Sequence, residues 1–85
     1  MKVLIPSALH SYTGQAWVEA GGTVLSEVLA DLDRQFPGIR FRMVDEQGAI
    51  RRHIRFFHGE QMVKTLAHPL DPEGQLLIVQ ALSGG

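Results

Sequence analysis

Apolar residues along this chain change their spacing several times, and each change marks an element. "KVLIP" (Lys2 to Pro6) is a β-rich run that Pro6 stops or confines to a sheet edge. "QAWVEA" (Gln15 to Ala20) alternates, with Ala16, Val18 and Ala20 on one side and Trp17 and Glu19 on the other. Turn residues around Gly14 in "HSYTGQ" join the two runs as a hairpin with a long loop. The period then lengthens. Leu25, Val28, Leu29, Leu32 and Phe36 form one apolar helical stripe, while Glu27, Asp31, Arg34 and Gln35 face away. Gly21-Gly22-Thr23 precedes the stripe, which predicts Thr23 as N-cap and puts Glu27 near the positive end of the helix. "FPG" (Phe36 to Gly38) ends it, because a residue before proline avoids the helical region and Gly38 suits the exit turn.

"IRFRMVDEQGAIRR" (Ile39 to Arg52) fits either a helical turn or two short extended pieces, and the pattern assigns it to neither. In "HIRFFHGEQMV" the strand pattern returns, with Ile54 and Phe56 on one face and His53, Arg55 and Phe57 on the other. Gly59 turns the chain into Gln61-Met62-Val63. "HPLDPEG" makes a rigid loop, and "QLLIVQA" (Gln75 to Ala81) is the last strand. Strands flanking one amphipathic helix indicate an α+β domain of two layers. A β-grasp arrangement fits, with a mixed sheet wrapping one main helix and the first and last strands parallel at its centre. A central strand is expected to be apolar on both faces, as Leu76-Leu77-Ile78-Val79 is.

Composition narrows the function. The 85 residues make a single domain, 1-85, with an extended C-terminal tail at 82-85. A net charge of -1 gives no electrostatic reason to expect nucleic acid or an anionic membrane as partner. The chain has no cysteine, so zinc-thiolate sites and thiol nucleophiles are excluded. No apolar stretch approaches membrane-spanning length, and the start lacks a signal-peptide core, so the expected location is cytoplasmic.

Self-contained catalysis finds little support. His10, His53, His58 and His68 sit in separate segments without ligand spacing and read as solvated strand or loop residues, so no metal site is expected. The carboxylates lie on the helix surface and in the Asp45-Glu46 turn, and none sits in an apolar setting that would tune a general acid. Gly21-Gly22 before a helix resembles a phosphate loop only in part, since no lysine follows; it reads as a plain turn.

The tail is more informative. In a chain this rich in glycine, a terminal Gly-Gly arises by chance in ~1% of cases. Here it follows a core strand with only Leu82 and Ser83 between. A tail without Cβ atoms at its end can thread a narrow channel and present a carboxylate to a partner's active site. A carboxylate is a poor acyl donor until ATP converts it into an acyl-adenylate, and a terminal glycine obstructs attack on that carbon least. The reactive atom expected from the residues is the carbonyl carbon of Gly85.

The helix after "GGT", the strand-turn "RFFHGEQ", the loop "HPLDPEG" and the ending "IVQALSGG" together resemble the MoaD/ThiS-type sulfur carriers, which share the ubiquitin-like β-grasp fold. The resemblance covers essentially the whole chain. It is nearest to carriers for cysteine, methionine or thio-metabolite synthesis, although Phe57-His58 stands where family members often carry Val-Asn. It implies a carrier and not an enzyme, with Gly85 bearing a thiocarboxylate and Leu82, Ser83 and Gly84 threading a partner channel. It also implies three partners: a ubiquitin-activating-type adenylyltransferase, a sulfur donor and a downstream sulfur-accepting synthase. No cofactor is bound by the carrier; ATP is used by the activating partner.

Docking is expected on the sheet face away from the helix. Strand alternation turns Leu76 and Ile78 to the helix and leaves Leu77 and Val79 on the open face, with Phe57 as neighbour. Arg55 serves equally well as a solvated strand residue or a docking contact. Two alternatives begin from the same chemistry: the small subunit of a molybdopterin synthase, and a ubiquitin-like protein modifier.

Overall fold

The computed structural model describes residues 1–81. Five strands form one mixed sheet in the order β2-β1-β5-β3-β4. They are β1 (Lys2–Leu4), β2 (Trp17–Glu19), β3 (Ile54–His58), β4 (Gln61–Val63) and β5 (Gln75–Gln80). β1 runs antiparallel to β2 and parallel to β5, and β5 runs antiparallel to β3. The first and last strands are therefore parallel at the centre, as the β-grasp expectation requires. Pro6 ends β1 without making it an edge, because the ladder has already closed at Leu4.

The β1–β2 connection is more ordered than a loop. A 3₁₀ turn over Ser7–Leu9 leads into the short helix α1 (His10–Thr13), which Gly14 ends at φ 70°. The long helix α2 (Leu25–Gln35) lies across one face of the sheet, and the unassigned stretch contains α3 (Ile39–Met43). Leu25, Val28, Leu29 and Leu32 are fully buried, and Phe36 packs half-buried at the helix end. Facing them are Val3, Val18, Ile54, Phe56, Val63, Leu76 and Ile78, with Ile39 and Met43 of α3 closing the core. Each large side chain among these gains about 1.5–3 kcal/mol by leaving water.

Thr23 is not the N-cap. Val24 holds that position with an extended backbone and no side-chain cap. The helix N–H groups of Leu25 and Ser26 donate instead to the carbonyls of His68 and Leu66, and Leu70 N–H returns a bond to Thr23 O. Carbonyls from a distant loop thus do the work usually given to a cap hydroxyl. Thr23 has the reverse role: its N–H and hydroxyl both donate to Glu27 Oε1, at 2.7 and 2.8 Å.

The two glycines before the helix are unequal. At Gly22, φ is 148° and an added Cβ would come within 2.8 Å of Val28 N, whereas one at Gly21 would meet nothing within 4 Å. Close approach to the helix start requires only the second glycine. At the other end, Asp33 accepts N–H bonds from Gly38 and Arg40, fixing the angle between α2 and α3.

β5 departs from one expectation. Leu76 and Ile78 are buried, but Leu77 is half-buried and Val79 is 43% exposed. The strand is central in hydrogen bonding without being apolar-packed on both sides, because the helices cover only one face of this two-layer fold.

Candidate functional site

β5 is held on both edges. Lys2, Val3 and Leu4 pair with Gln75, Leu76 and Leu77 on one side, and Ile54 to His58 pair with Gln80 back to Leu76 on the other. Its last bond is Ala81 N–H to His53 O at 2.8 Å. Leu82, Ser83, Gly84 and Gly85, the expected tail and reactive terminus, lie outside the described residues.

Alternation along each strand decides what faces away from α2. The registers place Trp17 opposite Leu4, Leu4 opposite Leu77, Leu77 opposite Phe57 and Phe57 opposite Met62. One apolar row therefore crosses all five strands on the open face. Trp17 is 43% and Met62 39% exposed, and Leu4, Leu77 and Phe57 are half-buried. Lys2, Glu19 and Gln75 bound the row towards the start of β5, and Val79 beside Arg55 extends it towards the strand's end. Single exposed apolar residues are ordinary on protein surfaces, whereas a contiguous row rimmed by polar groups makes this face the candidate docking surface.

The structure brings together Phe57, Leu77 and Val79, the residues expected for docking. It adds Leu4, Trp17 and Met62. Strand alternation alone turned Trp17 outward, but only the pairing register shows that it continues a line begun by Met62.

The histidines are more engaged than a solvated reading allows. His10 Nε2–H donates to Ile5 O at 2.9 Å and ties α1 to the end of β1. His58 Nε2 accepts the Asp71 N–H at 3.2 Å and packs on Gly74, where a Cβ would sit 2.8 Å from that nitrogen. His58 thus locks the loop before β5 to the end of β3. All four are half-buried.

The shifted carboxylates are structural. Glu27 is held below the usual range by the Thr23 N–H and hydroxyl. Asp31 is lowered first by the Gly21 N–H and then by Arg34, and Asp45 by turn N–H groups led by that of Ala49. None of the three belongs to the apolar row. Among the described residues no three His, Asp or Glu side chains converge as a metal site. No described helix is long and apolar enough to cross a membrane.

No family model matches the chain. The sulfur carrier protein CysO of Mycobacterium bovis is 30% identical over 89 residues, covering 98% of this chain and 96% of that protein. The crystal structure of the Amycolatopsis orientalis BexX/CysO complex contains a chain with TM-score 0.90 and 30% identity, covering 99% of this chain and 98% of its own. Mycobacterium tuberculosis CysO gives 0.89 at 29% identity, covering 95% and 98%. SAMP1 from Haloferax volcanii, at 19% identity and TM-score 0.78 over 100% and 98%, shares the fold. Likeness to CysO over nearly the whole chain, in sequence and in structure, shows the family: the chain belongs to the ubiquitin-like sulfur carriers of the MoaD/ThiS type.

Proposed function

We propose that this protein carries sulfur on Gly85 for small-molecule biosynthesis, with cysteine, methionine or a related thio-metabolite as the product class. The observation that carries the reading is the full-length match to CysO together with the Gly84-Gly85 ending. A ubiquitin-activating-type adenylyltransferase joins the Gly85 carboxylate to the α-phosphate of ATP and releases pyrophosphate. Sulfide delivered by a sulfur donor then attacks the acyl carbon; the C–S bond forms, the C–O bond to AMP breaks, AMP leaves, and a thiocarboxylate remains. That sulfur passes to an activated acceptor on a downstream synthase.

The fold's contribution is positional. β5 ends in backbone bonds to a rigid sheet, leaving four residues beyond Ala81 that reach at most about 14 Å. The apolar face around Leu77, Phe57 and Val79 docks on the partner, so that Leu82, Ser83 and Gly84 enter its channel in a set direction.

Incubation with ATP, an adenylyltransferase proven on another carrier, and sulfide is expected to give the mass gain of oxygen-to-sulfur exchange, localised to Gly85. An unchanged mass would sink the carrier reading. Conjugates of high molecular weight on a denaturing gel would point to a protein modifier, and stable co-purification with a larger subunit to a molybdopterin-type synthase. Deleting Gly85, or adding one residue after it, is expected to leave the fold intact and abolish the exchange.

A further inference from the structure

Basic charge is unevenly placed in this molecule. Of its eight lysines and arginines, five (Arg40, Arg42, Arg51, Arg52 and Arg55) fall from α3 to the start of β3, against two carboxylates, Asp45 and Glu46, in the same stretch. That segment borders the end of β5: Arg55 is the register partner of Val79, and His53 O holds Ala81 N–H. Arg42 lines a shallow groove with Tyr12, His53 and Gln80. The opposite end of the sheet carries Glu19, Glu60, Asp71 and Glu73.

The side chains of Arg42, Arg51 and Arg55 are positioned mainly by uncharged partners. Arg42 Nε donates to the Tyr12 hydroxyl at 2.8 Å. Arg51 Nε donates to Phe41 O at 2.7 Å, its guanidinium 4.6 Å over the Phe41 ring. Arg55 donates to the carbonyls of Arg52 and Ile54. Among the described residues, the ion pairs within 4 Å are those of the N-terminus with Glu19 and of Arg34 with Asp31. The neighbouring Asp45 carboxylate accepts from the N–H groups of Gln47 and Ala49 and also feels the charge of Arg51, which it partly offsets. The guanidiniums of Arg42, Arg52 and Arg55 make no ion pair among the described residues and keep their charge available at the edge where β5 ends.

We propose that this edge is an electrostatic docking rim for an acidic surface on the protein that receives residues 82–85, orienting the carrier tail-first before the apolar face makes contact. The proposal rests on the carrier reading and adds the partner chemistry. An acidic protein surface fits better than nucleic acid, because the chain as a whole carries a net charge of -1 and its far end would be repelled by a polyanion. Continuity with the open face through Arg55 and Val79 makes the rim and the apolar row one surface. Complementary charge of this kind acts mainly on association rate and its salt dependence.

The test uses the full chain and an adenylyltransferase that activates it. Association is followed by stopped flow across a salt series for the wild type, Arg52→Glu, the pair Arg42→Glu/Arg55→Glu, and Arg34→Glu. The last makes the same charge change as Arg52→Glu on the exposed side of α2, which covers the other face of the sheet. The rim variants are expected to associate about tenfold more slowly at low salt with a flatter salt dependence, and Arg34→Glu within about twofold of wild type. Equal rates for Arg52→Glu and Arg34→Glu, with the wild type still thiocarboxylated, would overturn the rim alone. A wild type that gains no sulfur overturns the carrier reading and the rim with it. Oligonucleotide binding lost on Arg52→Glu would reassign the patch to nucleic acid.

Discussion

Leu77 and Phe57 stand opposite each other across β5 and β3, both half-buried on the face that no helix covers. Their neighbour Val79 is more exposed, at 43%. A charge introduced at the centre of such a face costs binding far more than folding. Val79→Asp and Leu77→Asp are expected to raise the apparent Kd for the adenylyltransferase at least tenfold, about 1.4 kcal/mol. Melting of Val79→Asp should stay within about 5 °C of wild type, a shift worth less than about 1 kcal/mol in a domain this small. Titration calorimetry beside a thermal scan checks both; unchanged affinity would remove the open face from the docking surface.

Adjacent glycines before α2 provide an internal control. Gly22→Ala meets backbone at 2.8 Å and a φ of 148°, so it is expected to cost more than about 2 kcal/mol. Gly21→Ala meets nothing within 4 Å and is expected to change stability by no more than about 0.5 kcal/mol. Urea midpoints for the two variants measure the difference, and equal losses would contradict the close approach.

How much of this was legible beforehand depended on range. The stripe from Leu25 to Leu32 and the alternation in "HIRFF" are local, and both survive intact in the fold. The parallel pairing of β1 with β5 followed from element order. The Thr23 cap failed because its competitor lies more than forty residues away: the carbonyls of Leu66 and His68 reach the helix N-terminus first. The apolar row failed in part for a related reason. Phe57, Leu77 and Val79 lie on neighbouring strands near the chain's end, whereas Trp17 and Met62 join them only through register. The His58 anchor was invisible for the same cause, since Asp71 is brought to it by the fold, whereas His10 reaches Ile5 only five residues away, through the turn that leads into α1.

The His58 anchor is open to a double-mutant cycle. Gly74→Ala pushes a methyl against Nε2 and costs the bond to Asp71 N–H, an expected loss of about 1–2 kcal/mol. In a His58→Ala background the obstruction is gone, and Gly74→Ala should cost less than about 0.5 kcal/mol. Additive losses would show that the two residues do not communicate.

Acid should destabilise the domain through Glu27 and Asp31. Both carboxyls titrate lower in the fold than in the unfolded chain, so their contribution is complete above the ordinary carboxylate range and is lost as pH falls through the folded values. Urea midpoints measured across that window are expected to fall steeply for the wild type and less steeply for Glu27→Gln/Asp31→Asn. Parallel curves would assign the acid sensitivity elsewhere.

The side-by-side run of β1 and β5 has a mechanical consequence. A partner that grips the end of the chain and pulls does so along β5, parallel to β1, which is preceded by Met1 with its amino group tied to Ala20 O. Hydrogen bonds lie across that line of force on both edges of β5, so they are loaded in shear and must yield together instead of unzipping one at a time. The domain can be drawn against a binding surface by its last residues without being unravelled from that end.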